Sequence, residues 1–151
     1  MKIAQALNLR KSLNDQRENA LRSATANAYL IDGQTSDSNP DVEVALFLSI
    51  TAKLQALIGQ INHTNSVTII VHDGTSYNLT QARVVRDVLT EVADKLKELP
   101  TQKTKSYGAG EPLHLILNSA EITHRINDYS LRAMELDDII QQTNWSVDLV
   151  E

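Results

Sequence analysis

The sequence predicts a mostly α fold: a long antiparallel helical hairpin, two further helices, and a small antiparallel β-hairpin that a third strand can extend into a three-stranded sheet. Three observations carry this. Apolar residues recur at helical spacing over four long stretches. Aromatic residues make up only 4% of the chain, with one Trp and one Phe, so the core must come from Leu, Ile, Val and Ala, which suits helix packed on helix. The Asp-Gly pair at Asp73-Gly74 is flanked by β-branched residues, the strongest short hairpin signal. A length of 151 residues fits one domain over 1–151 with a real core.

The first helix is expected over residues 2–31, with Ile3, Ala6, Leu7, Leu13, Leu21, Ala24, Ala28 and Ile31 on one face and Asp32-Gly33 as its end. Asn39-Pro40-Asp41 opens the second: a capping side chain, a proline at the first helical position and an acid in the first turn. Its stripe is Val42, Leu46, Ile50, Leu54, Leu57 and Ile61, ending near Asn62. A short polar link makes the two helices an antiparallel hairpin. Residues 67–72 and 75–78 then read as hairpin strands. Asn78 with Gln81 forms a capping box for a third helix through Leu99, closed by Pro100. Residues 101–111 read as a loop, and Pro112–Leu117 as a strand able to join the hairpin. Asn118 and Glu121 cap a fourth helix whose stripe is Ile122, Ile126, Tyr129, Ala133, Leu136, Ile140 and Thr143. That four-three spacing asks for a partner helix, within the chain or between chains.

Net charge is −5 and the pI about 5.3. Phosphate-backbone binding needs clustered positive charge, so a DNA or RNA duplex is not an expected partner. There is no cysteine, which excludes disulfides, thiol catalysis and thiolate metal sites. The N-terminal residues do not resemble a signal peptide. No run approaches the roughly 18 apolar residues that span a bilayer. A cytoplasmic protein with no membrane partner is the expectation.

Arg10, Asn14 and Arg17 fall inside the apolar stripe of the first helix. Buried cations need partners: a salt bridge to a neighbouring helix or subunit, or an anion held between helices by the planar guanidinium fork. The 101–111 loop carries Lys103, Lys105, Tyr107, Gly108 and Gly110, able to approach and stack on an anionic ligand, or simply exposed. It lacks phosphate-loop spacing. His72-Asp73 suggests a metal pair, but the hairpin turn explains both residues, and no second ligand pair has metal-site spacing, so no metal is expected. There is no Gly-x-Ser-x-Gly elbow and no acid/base constellation, so neither catalysis nor a cofactor is expected. Trp145, just past a helix end, could staple that end onto the core or form a stacking platform at an interface.

Several segments resemble the septicolysin-like family of small bacterial and phage proteins. They are Met1–Leu7 with Leu9-Arg10, Asn27-Ala28 before Asp32-Gly33, Ile61-Asn62 with Thr64-Asn65, Arg86–Leu89, Tyr107, Leu136-Asp137 with Ile140-Gln141, and Asn144-Trp145 with Asp148-Leu149. The last is the most specific. The chain departs at Arg17, where an apolar residue is expected, and around Tyr107, which lacks the usual flanking basic residues. The resemblance implies a helical-hairpin fold in an oligomer. Together these readings give a non-catalytic homo-oligomer that holds or sequesters a small anionic ligand of nucleotide type. Arg10, Arg86, Tyr107, Asn144, Trp145, Lys103 and Lys105 are the candidate contacts. The alternatives are an interaction oligomer without a ligand, then a membrane-active cytolysin.

Overall fold

The computed structural model describes residues 1–30, 35, 38–101, 104–107 and 111–150, with the backbone alone at 104–107 and 111. The fold is mostly α with small antiparallel hairpins, as the periodicity predicts. It divides into two compact units: Met1–Thr68 with Gln141–Glu151, and Ile69–Ile140.

The first unit is built on α1 (Ile3–Ala26) and α2 (Pro40–Val67). The Lys2 N–H donates to Gln5 Oε1 at 2.9 Å, fixing the start of α1. Its buried side chains are Ile3, Ala4, Ala6, Ala20 and Ala24, small enough to let α2 approach closely. Ala6 packs with Leu57 and Ile61 near the far end of α2, while Ser23 Oγ lies 3.3 Å from Ser38 Oγ just before its start, so the pair is antiparallel. α1 stops five residues short of the expected end. Asn27 leaves helical geometry: its backbone N–H (3.1 Å) and its side-chain amide (2.9 Å) both donate to the Ser23 carbonyl, and the Ala28 N–H turns to the Thr25 carbonyl (3.3 Å) instead of continuing the helical ladder. The expected Asp32-Gly33 cap lies outside the described residues.

Asn39 Oδ1 accepts from the Asp41 N–H at 2.9 Å, so α2 begins where the Asn-Pro-Asp signal places it. It runs past Asn62 to Val67, because Thr64 extends the buried seam of Leu54, Leu57 and Ile61. Its hydroxyl donates to the Gln60 carbonyl at 2.7 Å, so this polar residue enters the core satisfied.

A short antiparallel bridge joins the two ends of the chain. The Ile3 N–H donates to the Val147 carbonyl (3.0 Å) and the Leu149 N–H to the Met1 carbonyl (2.8 Å), with Lys2 opposite Asp148. Lys2 Nζ donates to Asp148 Oδ2 (2.7 Å) and to the Ser146 carbonyl (2.8 Å). The Val150 N–H donates to Thr64 Oγ1 (3.0 Å), and Leu149 packs on the Ala6, Leu57 and Ile61 cluster.

In the second unit, β1 (Ile69–His72) pairs antiparallel with β2 (Thr75–Asn78), His72 opposite Thr75. Asp73 and Gly74 have φ of 49° and 71°, the left-handed pair that a two-residue hairpin turn of the primed type requires. Alternation buries Ile70 and His72 and exposes Ile69 and Val71. Asn78 Oδ1 accepts from the Gln81 N–H (2.8 Å) and Gln81 Oε1 from the Asn78 N–H (3.0 Å), the reciprocal cap that starts α3 (Leu79–Lys97). The expected loop contains β3 (Thr104–Tyr107), antiparallel to β4 (Glu111–His114). The strand expected over 112–117 therefore pairs with the chain just before it. Two separate two-stranded sheets form instead of one three-stranded sheet. β3 lacks apolar alternation, so periodicity alone does not reveal it. α4 (Ser119–Ser146) starts where Asn118 Oδ1 accepts from the Glu121 N–H (3.2 Å), and it buries Ala133, Leu136 and Ile140.

Two stability measurements follow from the first unit. Ile61 is 1% exposed, so Ile61→Ala should cost about 2–5 kcal/mol in a urea titration. The hydrogen bond from Lys2 holds the Asp148 carboxyl below its ordinary pKa. Its contribution is therefore complete above the unfolded carboxylate pKa of about 3.9 and is lost as pH falls through the lower folded value. In acid melts, Asp148→Asn should remove that part of the pH dependence and lie below the wild type most clearly at neutral pH.

Candidate functional site

Arg86 is the candidate whose surroundings are most fully defined. It projects from α3 and donates through Nε (2.9 Å) and Nη2 (2.6 Å) to Asp87, and through Nη1 (2.5 Å) to Asp137 on α4. The bonds to Asp87 and then Asp137 hold its guanidinium more firmly in the charged form. A shallow groove of about 260 Å³ runs beside it, lined among others by Thr90, Asp94, Lys97 and Met134. Lys97 is itself paired with Asp94 at 2.7 Å. Both cations of this groove are already neutralised, so it offers an incoming phosphate no free positive charge. Arg86 reads as a tie between α3 and α4.

In the first unit, Arg10, Asn14 and Arg17 are half-buried along one side of α1, flanking the buried Ile3, Ala6, Ala20 and Ala24. Arg17 Nη2 meets Glu18 at 3.1 Å, yet its Nε is shielded from solvent with no hydrogen-bond partner. Arg10 has no hydrogen-bond or ion-pair partner among the described residues. Asn144 is half-buried and Trp145 is 61% exposed, so the tryptophan does not staple the helix end onto the core. Arg10 lies eight residues beyond Lys2, about 12 Å along α1. Asn144 and Trp145 immediately precede the Ser146–Asp148 segment that holds Lys2. Lys105 and Tyr107 belong to β3, opposite Leu113 and Glu111. Lys103 lies outside the described residues.

Two further features escape sequence reasoning. The first is the outer side of α2. The buried seam takes one side, whereas Ala45, Leu48, Ala52 and Gly59 face the other way, with exposed Val44 and Ile58 beside them; Val42 and Leu46 continue the line of the seam toward the start of α2 and are exposed there. α2 is also long and apolar enough, by length and composition, to cross a membrane, with an 18-residue window of mean hydropathy 1.6. Counting uninterrupted apolar runs misses this, because scattered Ser, Thr and Gln break the run without lowering the mean much. The second is at the first hairpin. Glu135 of α4 brings Oε2 to 3.6 Å from His72 Nε2, while Asp73 Oδ2 lies 3.8 Å from His72 Nδ1. Arg132 Nε donates to Asp73 at 3.2 Å. Nothing in the local sequence around His72 announces a residue more than sixty positions away.

Residues 3–149 match the family described as "Family of unknown function (DUF6847)". No curated protein matches the chain. The chain is similar to the crystal structure of "a functionally unknown conserved protein from Corynebacterium diphtheriae", with a TM-score of 0.79 and 24% identity over 99% of both chains. That likeness shows the fold.

If Arg86 is a structural tie, Arg86→Met should lower stability by about 1–3 kcal/mol, the range for hydrogen bonds to charged groups. Adding Asp137→Leu to that variant should recover part of the loss in a double-mutant cycle followed by urea unfolding. Unchanged stability in Arg86→Met would instead leave its guanidinium available to a ligand.

Proposed function

We propose that this chain, which belongs to the DUF6847 family of unknown function, is a non-catalytic protein that works as a homo-oligomer, its subunits meeting through the outward side of α2. The observation that carries this reading is an apolar helix with only one buried seam. Val44, Leu48 and Ile58, turned away from that seam, remain between 37% and 59% exposed. Exposed apolar surface that is continuous marks interaction sites. Ala45, Ala52 and Gly59 let a second helix approach closely. In a two-fold contact each residue is buried twice. Covering three half-exposed branched side chains on both copies is worth about 6 kcal/mol, within the range of the cost of association.

A small anionic ligand of nucleotide type is a second reading, and one observation favours it. Among the described residues, Arg10 lacks a partner, and Arg17 keeps a shielded, unbonded Nε on the same side of α1. Such guanidinium groups ask for an acceptor, which a phosphate or a carboxylate of a neighbouring subunit supplies. Trp145, exposed in the same unit, is available to stack on a base.

The first reading predicts that the wild type sediments as an oligomer. Leu48→Asp should sediment as a monomer with unchanged far-UV circular dichroism, since Leu48 is 59% exposed within the chain. A wild type that stays monomeric up to high concentration overturns the reading, and leakage of dye-loaded liposomes would redirect it to a membrane-active role. Thermal stabilisation by a nucleotide, abolished by Arg10→Ala, is the outcome expected of the ligand reading.

A further inference from the structure

We infer that His72, Asp73 and Glu135 form a binding site for a divalent first-row transition metal. One donor atom from each of the three lies within 4.8 Å of the other two. Acidic side chains gather on many surfaces without an ion, so the histidine decides the matter. Its side chain is 6% exposed, and Nε2 is buried with no hydrogen-bond partner. A buried imidazole nitrogen without a partner costs free energy unless something accepts its lone pair or proton. The group it faces is Glu135 Oε2, at 3.6 Å, too long for a hydrogen bond. That separation suits a bridging ion: two bonds of about 2.0–2.1 Å opening at about 120° place their donors about 3.6 Å apart.

The fold holds these groups for identifiable reasons. Strand alternation turns His72 inward beside Ile70. Asp73 occupies the first left-handed position of the turn, with φ of 49°, and Gly74 the second. The turn accepts several residue types there, so a carboxylate at 73 is available for a second role. Arg132 donates to Asp73 Oδ2 at 3.2 Å and approaches Asp128 at 3.9 Å. A carboxylate that accepts from a guanidinium keeps further lone pairs, and an outer hydrogen bond of this kind orients a metal ligand. Three carboxylates, Asp73, Asp128 and Glu135, stand against one guanidinium, leaving two negative charges, the complement of a dication. Asp73 and Glu135 are about half exposed, so an ion can enter from solvent. An imidazole ligand favours zinc and its neighbours over magnesium or calcium, which take all-oxygen sets. Three protein ligands leave a fourth tetrahedral position to water.

The test uses the full chain, freed of metal by a chelator and titrated with zinc chloride by calorimetry. Histidine ring signals are followed in parallel by NMR. The expected result is one equivalent bound with micromolar affinity, shifting the His72 imidazole and leaving the exposed His63, His114 and His124 unmoved. Glu135→Gln and Asp73→Asn should each weaken binding at least about tenfold, the lower bound known for losing even an outer-shell partner. Both variants should fold, because Glu135 is half exposed and Asn tolerates the left-handed position. No binding overturns the site. Zinc bound only at the exposed histidines, or affinity unchanged in either variant, overturns it as well. None of these outcomes depends on the oligomeric state.

Discussion

The first unit depends on the pairing of residues 1–3 with residues 147–149. Three elements converge there: the start of α1, the last turn of α2, and the chain leaving α4. The visible charge pair, Lys2 with Asp148, is more than one-third exposed on both sides and contributes little alone. The geometry comes from the backbone. Two interstrand hydrogen bonds set the register, and that register points Leu149 onto Ala6, Leu57 and Ile61. Thr64 completes the arrangement from α2, with its hydroxyl donating to Gln60 and accepting from Val150. One buried hydroxyl thus satisfies a helix carbonyl and a strand amide together. Valine has the same shape but would leave the Val150 N–H without its acceptor, and an unmet buried donor costs more than the hydrogen bond itself contributes.

In the second unit the corresponding constraint is a pair of left-handed residues. A two-residue turn at Asp73-Gly74 fixes His72 opposite Thr75, and the pleat does the rest. A slip of one residue would exchange the faces, exposing Ile70 and His72 and burying Ile69 and Val71. The turn therefore decides that an imidazole, rather than a valine, faces inward. Two residues beyond β2's Ser76, Asn78 closes the strand and caps α3, so strand register and helix start are set within ten residues of each other.

What the sequence made legible is what local chemistry governs. The Asn39-Pro40-Asp41 start, the Asp73-Gly74 turn, the Asn78–Gln81 box and the stripe of α4 depend on neighbours within four residues, and all stand where they were read. Element ends were less legible. Asn27 could continue a helix or end it; in the fold the next amide, Ala28 N–H, turns to Thr25 and the helix ends. Thr64 and Asn65 look like a helix end until their burial is known. β3 is polar, and only its pairing with β4 makes it a strand. The site residues divide the same way. That Arg86 carries charge was evident, but Asp137, which holds it, is fifty-one positions away. Glu135 is sixty-three positions from His72, and no local spacing encodes such a distance.

The half-buried arginines separate by whether a carboxylate is already at hand. Arg86 and Arg132 have theirs from a packed neighbour or a nearby turn. Arg10 has none among the described residues, and Arg17 is only partly served. Both lie in the unit whose α2 also leaves branched side chains uncovered. Unmet polar groups and unmet apolar surface in one unit are the expected pair of signs when a protein surface is completed by another molecule, because an interface buries apolar area at its centre and settles charges at its rim. Carboxylates outnumber Lys and Arg by 19 to 14, so a second copy brings acidic groups in excess. A neighbouring chain can therefore answer both deficits at once, where a small anion answers only the arginines. This asymmetry favours the proposed self-association over a small-molecule ligand.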